Sequence, residues 1–377
     1  MAIERLRVAT IVGTRPEIIK LSSTIKACQR YFDHILVHTG QNWDYALNEV
    51  FFKDFGLEKP DHFLDCAGGN LGETIGNIVA RSYAVLEQTM PDAVLVLGDT
   101  NSALSAIAAK RLKIPIFHME AGNRCFDENL PEEINRRIVD HVSDVNLPYT
   151  EHARRYLLAE GVRKEHIFVT GSPMAEILAD SMERIRTSTI LETLELERDR
   201  YIVVSAHREE NVDEDETFGS LMAAINDVAE MYGVPIVFST HPRTLNRLKA
   251  RSLKPHALVQ HLQPFGFFDY NRLQLDAFSV LSDSGTLAEE SAILGFSGVS
   301  LRTSTERPET LDKGSFIIGG TNTRDIVQAI ELAREMKAHG DGAVIADDYR
   351  DTNVSSKVVK IIQSYTHIVN RVVWRKT

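Results

Sequence analysis

"AVLVLGDTNSALSAIAAKRLKIPIFHMEA", Ala93 to Ala121, decides the fold. An uninterrupted apolar run, Ala93–Leu97, stops at Gly98-Asp99. A small-residue helical pattern follows to Leu112, and a second apolar run ends at Glu120. A strand that is apolar at every position has both faces buried, so this is a β-α-β unit of a parallel sheet covered by helices. The same alternation extends outward. "RVATIV" leads into "IIKLSSTIKACQRYF", "HILVHTG" into "ETIGNIVARSYAVLEQT", and "EEINRRIVDHV" precedes a closing run "HIFVTGS" near Ser172. A charged stretch poor in strand signals, Met182–Arg200, reads as helix and connector. A second series then runs from "YIVVSAH" through "PIVFSTH", "ALVQHL", "FSVLSDS", "GVSLR" and "SFIIGG".

A chain of 377 residues exceeds one core, so two domains are expected. The fold class is α/β, two doubly wound domains with a central cleft. The expected boundaries are 1–172 with 357–377 for the first domain and 173–356 for the second. With 42 basic and 53 acidic residues the net charge is −11, which disfavours nucleic acid or an anionic membrane as partner. Three scattered cysteines, Cys28, Cys66 and Cys125, fit a reducing compartment, with Cys125 a minor possibility as a reactive thiol. The N-terminus lacks the apolar stretch of a signal peptide, and no apolar run is long enough to span a bilayer, so a cytoplasmic location is expected.

In doubly wound sheets ligands bind beyond the carboxyl ends of the strands, so the strand ends carry the functional reading. "GTRPEIIK" follows the first strand and lacks the GxGxxG dinucleotide fingerprint, so no nicotinamide cofactor is expected. It places Arg15 at a helix N-terminus, with Lys20 a turn later, as anion contacts. Asp99 ends one strand and Glu120 the next. Each could instead cap a helix, but acids ending two neighbouring strands, with Glu132 and Glu133 opening the following helix, exceed what capping requires. His118 and Glu120 share a face by strand alternation and could hold a metal. No second ligand cluster completes such a site, so no metal is expected. In the second half His207 and His241 each end a strand, His207 being the acid–base candidate. "SDSGTLAEE" puts a Ser284-Gly285-Thr286 turn before a helix, a phosphate cradle without a Walker lysine, with Glu290 in reach of a ribose and Arg307 on a later loop. Ser284 could equally act as an ordinary N-cap.

"GTRPE", "GDT", "HMEAGNR", "PEEINRR", "AHRE", "SDSG…EE" and "ERPE" occur in the order seen in non-hydrolysing UDP-N-acetylglucosamine 2-epimerases, and the chain resembles that family over nearly its whole length. The resemblance implies two Rossmann-like domains of the B-type glycosyltransferase kind, with the last helix returning to the first domain. It implies an acid–base set of Asp99, Glu120, Glu132 and His207. It also implies nucleotide and phosphate contacts from Arg15, Lys20, Arg136, Ser284, Gly285, Thr286, Glu290 and Arg307. No cofactor, a UDP-activated 2-acetamido sugar as substrate and a homodimer are further implications. Gln41-Asn42 and Asn123-Arg124 depart from the family pattern, and "GQNWDY" and "EAGNRCFD" resemble a branch from capsule and O-antigen pathways. That branch makes UDP-N-acetyl-L-fucosamine from UDP-2-acetamido-2,6-dideoxy-L-talose, the preferred substrate here over UDP-N-acetylglucosamine. A B-type glycosyltransferase, a hydrolysing epimerase and a non-catalytic nucleotide-sugar binder are the rival readings. Epimerisation at C2 needs proton donors or acceptors on both ring faces, which accounts for several acids. Crowding is expected to raise the pKa of one by another.

Overall fold

The computed structural model describes residues 4–41, 51–240, 242–251, 253–342 and 344–376. The chain forms two compact units, residues 1–179 with 348–377 and residues 180–347. The first changeover falls seven residues beyond the expected 172, within the helix Met174–Arg186, and the second falls at Asp348 rather than 357.

The first unit holds β1 (Arg7–Val12), β2 (Asp33–His38), β3 (His62–Phe63), β4 (Ala93–Leu97), β5 (Ile116–Met119) and β6 (Val145–Leu147). They make one parallel sheet in the order β3-β2-β1-β4-β5-β6. Every residue of β4 is at most 2% exposed, as its continuous apolar run requires. Burying each such valine or leucine contributes roughly 1.5–3 kcal/mol. The helix Arg15–Tyr31 starts with Pro16 in its first turn, where the missing N–H costs nothing. The C-terminal helix, Val354–Val372, belongs to this unit and packs on Arg15–Tyr31. It buries a stripe of Val354, Val358, Ile362, Thr366 and Val369. Its start is tied by Glu176, which accepts from the Ser355 amide at 2.8 Å.

The second unit holds β7 (Ile202–Ser205), β8 (Ile236–Ser239), β9 (Val259–Leu262), β10 (Ser279–Ser282), β11 (Gly298–Ser300) and β12 (Ile317–Ile318). Its order, β12-β11-β10-β7-β8-β9, is also all parallel. Counted from each unit's first strand, both sheets read 3-2-1-4-5-6, the doubly wound order. The strand order reverses between β1 and β4 and again between β7 and β10. One sequence expectation is corrected, and one strand was not anticipated. "HIFVTGS" is not a strand: Ile167 makes an isolated bridge to Asn146, and β6 takes the edge instead. The two-residue β3 carried no readable strand signal.

Where β5 leaves the sheet, Gly122 has φ 80°, and a Cβ there would lie 2.5 Å from the Ala153 carbonyl oxygen. Gly122→Ala meets both a strained backbone and a backbone clash, so it is expected to destabilise the first unit by about 2–4 kcal/mol. Urea unfolding followed by circular dichroism checks this, and an unchanged midpoint would contradict it.

Candidate active site

The sheet order puts the ends of β1, β4 and β5 side by side, and these ends carry Arg15, Asp99 and Glu120. Glu120 is 9% exposed and sits at φ 63°, a left-handed backbone that a glutamate adopts only under constraint. The constraint is visible. Lys20 Nζ donates to both carboxylate oxygens of Glu120, at 2.9 and 2.7 Å. Tyr149 Oη donates to Oε2 at 3.3 Å, and the Asn123 amide reaches Oε1 at 3.5 Å. Gly98, at φ 69°, takes the left-handed backbone that glycine adopts without strain.

Asp99, next in the chain, is bonded by Arg136 Nε at 2.7 Å. Arg136 also donates to Glu133 at 2.9 Å. The helix Pro131–Val142 aligns Glu132 with Asn135 and Arg136 by its i, i+3, i+4 spacing, and Asn135 bonds the Asp99 carbonyl at 2.9 Å. Glu132 is half-buried and makes no hydrogen bond or ion pair among the described residues. Asp99 and Glu120 each face a cation, Arg136 and Lys20 respectively. Arg15 lies 5.6 Å from the Phe51 ring centroid.

Alternation along β5 does not extend to Glu120, because its left-handed backbone ends the strand. His118 instead turns to the Gly98 carbonyl, 2.8 Å from Nε2. No cluster of three or more potential metal ligands occurs among the described residues. Burial, above all, raises the pKa of Cys125, whose sulfur lies 3.3 Å from Glu133. Burial also works to raise Glu133, but the Cys125 amide and Arg136 prevail and hold it below its ordinary value.

In the second unit, Asp283 at the end of β10 is fully buried. It accepts from the amides of His207 and Arg208, each at 2.9 Å, and from Asn211 at 3.1 Å. His207 Nδ1 lies 3.4 Å from the other Asp283 oxygen, and its side chain is 42% exposed. The Ser284-Gly285-Thr286 turn precedes the helix Leu287–Leu294. Its N-cap is Thr286, without a side-chain cap, rather than Ser284. Ser284 Oγ pairs with Thr286 Oγ1 at 3.0 Å. Gly285 faces Glu306, whose Oε1 would lie 2.7 Å from a Cβ, and Glu306 bonds Arg208 at 3.1 Å. Glu290 accepts from Gln274 at 2.9 Å, and Arg307 is 3.5 Å from Glu289. His241 lies outside the described residues, as does Asn42.

Sequence reading missed Tyr149, which stands just past β6, and Glu17. Glu17 is 1% exposed and accepts from the Gly13 amide at 3.0 Å, Thr14 Oγ1 at 2.8 Å and Ser102 Oγ. It joins the loop after β1 to the loop after β4. Its place inside "GTRPE" was the available signal.

Acids stand at the reversal point of one doubly wound sheet and a Ser-Gly turn at that of the other, an architecture of the Rossmann-like class. Comparison with known proteins narrows the class. The sequence profile of the family described as UDP-N-acetylglucosamine 2-epimerase matches residues 26–363. The structure of UDP-N-acetylglucosamine 2-epimerase from Rickettsia bellii is 46% identical, with a TM-score of 0.91, covering 99% of this chain and 100% of that one. The Methanocaldococcus jannaschii UDP-GlcNAc 2-epimerase in complex with UDP-GlcNAc and UDP is 33% identical with a TM-score of 0.88, covering 95% and 99%. A Pseudomonas aeruginosa relative named UDP-2,3-diacetamido-2,3-dideoxy-D-glucuronate 2-epimerase is 32% identical over 359 residues, 94% of this chain and 100% of that one. The chain belongs to the UDP-N-acetylglucosamine 2-epimerase family and is an isomerase. No helix among the described residues is long and apolar enough to cross a membrane.

Burial, the largest influence on Glu17, pushes its pKa up against the hydrogen bonds of Ser102, Thr14 and Gly13. A carboxyl raised in the folded state ionises first in the unfolded chain. Its contribution is thus fully present below the ordinary carboxylate range and is lost as pH rises through the folded value. The stability of the wild type relative to Glu17→Gln is therefore expected to fall as pH rises across that range. Denaturant unfolding over a pH series reads this, and a pH-independent difference would contradict it.

Proposed function

We propose that the chain interconverts C2 epimers of a UDP-activated 2-acetamido sugar by expelling and recapturing UDP. The observation that carries this is the pair of strand-end carboxylates, Asp99 and Glu120, each set against its own cation and with no dinucleotide fingerprint nearby. The hydrogen on C2 is not next to a carbonyl and is poorly acidic by itself. In the proposed step a carboxylate takes that proton while the C–H electron pair forms the C1=C2 bond and the C1–oxygen bond breaks. UDP leaves with the bridging oxygen and its electrons, and a 2-acetamidoglycal remains. Return of UDP to C1, with a proton delivered to the opposite face of C2, gives the epimer. Atoms and electrons balance with no oxidised cofactor.

Asp99, Glu120 and Glu132 are proposed to move the protons, with His207 joining the acid–base set. Arg15, Lys20, Arg136 and the amides of the Ser284-Gly285-Thr286 turn are proposed to stabilise the diphosphate. Lys20 and Arg136 would divide their charge between phosphate and carboxylate. Glu290 is assigned to the ribose, with Arg307 and His241 as further nucleotide contacts.

Two readings of the sugar are carried. The relatives' names favour UDP-N-acetylglucosamine, and the diacetamido-glucuronate relative shows that change elsewhere on the ring is compatible with this family. The second reading is UDP-2-acetamido-2,6-dideoxy-L-talose and UDP-N-acetyl-L-fucosamine, supported by the likeness of "GQNWDY" and "EAGNRCFD" to the capsule and O-antigen branch.

Proton NMR of enzyme with each UDP-sugar in deuterium oxide tests the proposal. A 2-epimer carrying deuterium at C2, formed without any acceptor, is expected. Product lacking deuterium would exclude the mechanism, and no product without an acceptor would favour a glycosyltransferase. Glu120→Gln is expected to lower kcat by about 10²–10⁴-fold while UDP affinity, measured by calorimetry, changes little. Equal loss of both would make Glu120 a binding residue.

A further inference from the structure

The three carboxylates proposed to move protons stand on three separate elements: the turn after β4, the end of β5 and the helix Pro131–Val142. One buried group touches all three. His118, on β5 and 1% exposed, places Nε2 2.8 Å from the Gly98 carbonyl oxygen, the residue before Asp99. Its Nδ1 lies 3.0 Å from Asp140, which is on the same helix as Glu132 and Arg136. Asp140 in turn accepts from the Gly122 amide at 3.2 and 3.1 Å, two residues past Glu120, and from Arg124 at 2.8 Å. Arg124 is bound beyond by Glu160 at 2.7 and 2.6 Å.

The backbone explains why a side chain is needed here. The Gly98 amide still donates to the Met119 carbonyl at 2.9 Å, as a parallel ladder requires. The register ends at Leu97 and Met119, because Glu120 at φ 63° turns the chain out of the sheet. The Gly98 carbonyl is then met by imidazole. Nε2 thus meets the Gly98 carbonyl, and Nδ1 stands 3.0 Å from the Asp140 carboxylate.

We propose that His118 is a positioning residue for the proton-transfer carboxylates, fixing the Gly98-Asp99 turn relative to Glu120 and to the helix of Glu132. The inference rests on the roles proposed above. It predicts a graded result in two variants. Asn at 118 can still reach Asp140 but falls short of Gly98, whereas Gln extends towards the Gly98 carbonyl. His118→Asn is expected to lower kcat about 10²-fold, the effect of a small misplacement of reacting groups. KM and UDP affinity should change little, and His118→Gln should recover about tenfold of the loss, in line with one restored hydrogen bond. Wild-type kcat in His118→Asn, or equal kcat in the two variants, would overturn the inference. Crystal structures supply a readout independent of turnover. The Gly98-Asp99 turn and Glu120 should be displaced in His118→Asn, and an unmoved turn overturns the inference whatever the activity. If His118→Asn does not fold, His118→Gln decides alone, because a variant that keeps the Gly98 bond in its crystal structure must keep most of its kcat. A wild type inactive on every UDP-2-acetamido sugar would instead count against the proposed function.

Discussion

Lys20 and Glu120 meet across the end of β4. Lys20 comes from the helix after β1, Glu120 from the end of β5, and β4 lies between those strands in the sheet. Both side chains are 9% exposed. An ion pair this dry is a poor source of net stability, since desolvating two charges offsets most of their attraction. Separating it is another matter, because one charge would remain buried without its partner at a cost of about 3–5 kcal/mol. The pair therefore acts as a constraint. It holds Glu120 in a left-handed backbone that by itself costs on the order of 1–3 kcal/mol.

The two sheets solve the same problem with different residues. At a reversal of strand order two loops must stay in register without a ladder bond between them. In the first unit Glu17, in the first turn of the helix after β1, takes the Ser102 hydroxyl from the segment after β4. In the second unit the direction is inverted: Asp283, at the end of β10, takes the amides of His207 and Arg208 after β7. Each acid is almost wholly buried, and each is surrounded by donors rather than by water. Asp283 thereby sets where His207 leaves the strand, and Glu17 sets the loop that leads into Arg15.

The strand ends were legible because β-branched, fully apolar runs such as Ala93–Leu97 have few alternatives, and parallel order then follows from the intervening helices. That is why the strand ends at Asp99, Glu120 and His207 and the turn at Ser284 are readable in the sequence. What could not be read was conformation and long-range pairing. Nothing local marks Glu120 as left-handed, so His118 and Glu120 were placed on one face when in fact the chain turns between them. Asp140 and His118 are separated by a loop and most of a helix, and their contact depends on how the helix Pro131–Val142 lies on the sheet. The strand signal in "HIFVTGS" was genuine in composition. It yielded because β6 already occupies that edge, leaving Ile167 a single bridge.

The density of charge between Phe117 and His141 has a physical logic once partners are assigned. Like charges cannot be gathered out of water without a large penalty, so a cluster of acids at strand ends requires cations interleaved among them. Lys20 stands by Glu120, Arg136 between Asp99 and Glu133, and Arg124 between Asp140 and Glu160. The lysine is supplied from a distant helix, the two arginines from the stretch itself. Arginine suits the bridging positions because its planar fork can serve two carboxylates at once, which a single ammonium point charge does less well. A substitution of Arg136 by lysine would therefore keep the charge yet surrender one of its two partners. The stretch is thus neither a solvated loop nor a set of free acids, but carboxylates interleaved with shared cations, in which Glu132 alone of the proposed proton carriers is half-buried without an ion-pair partner among the described residues.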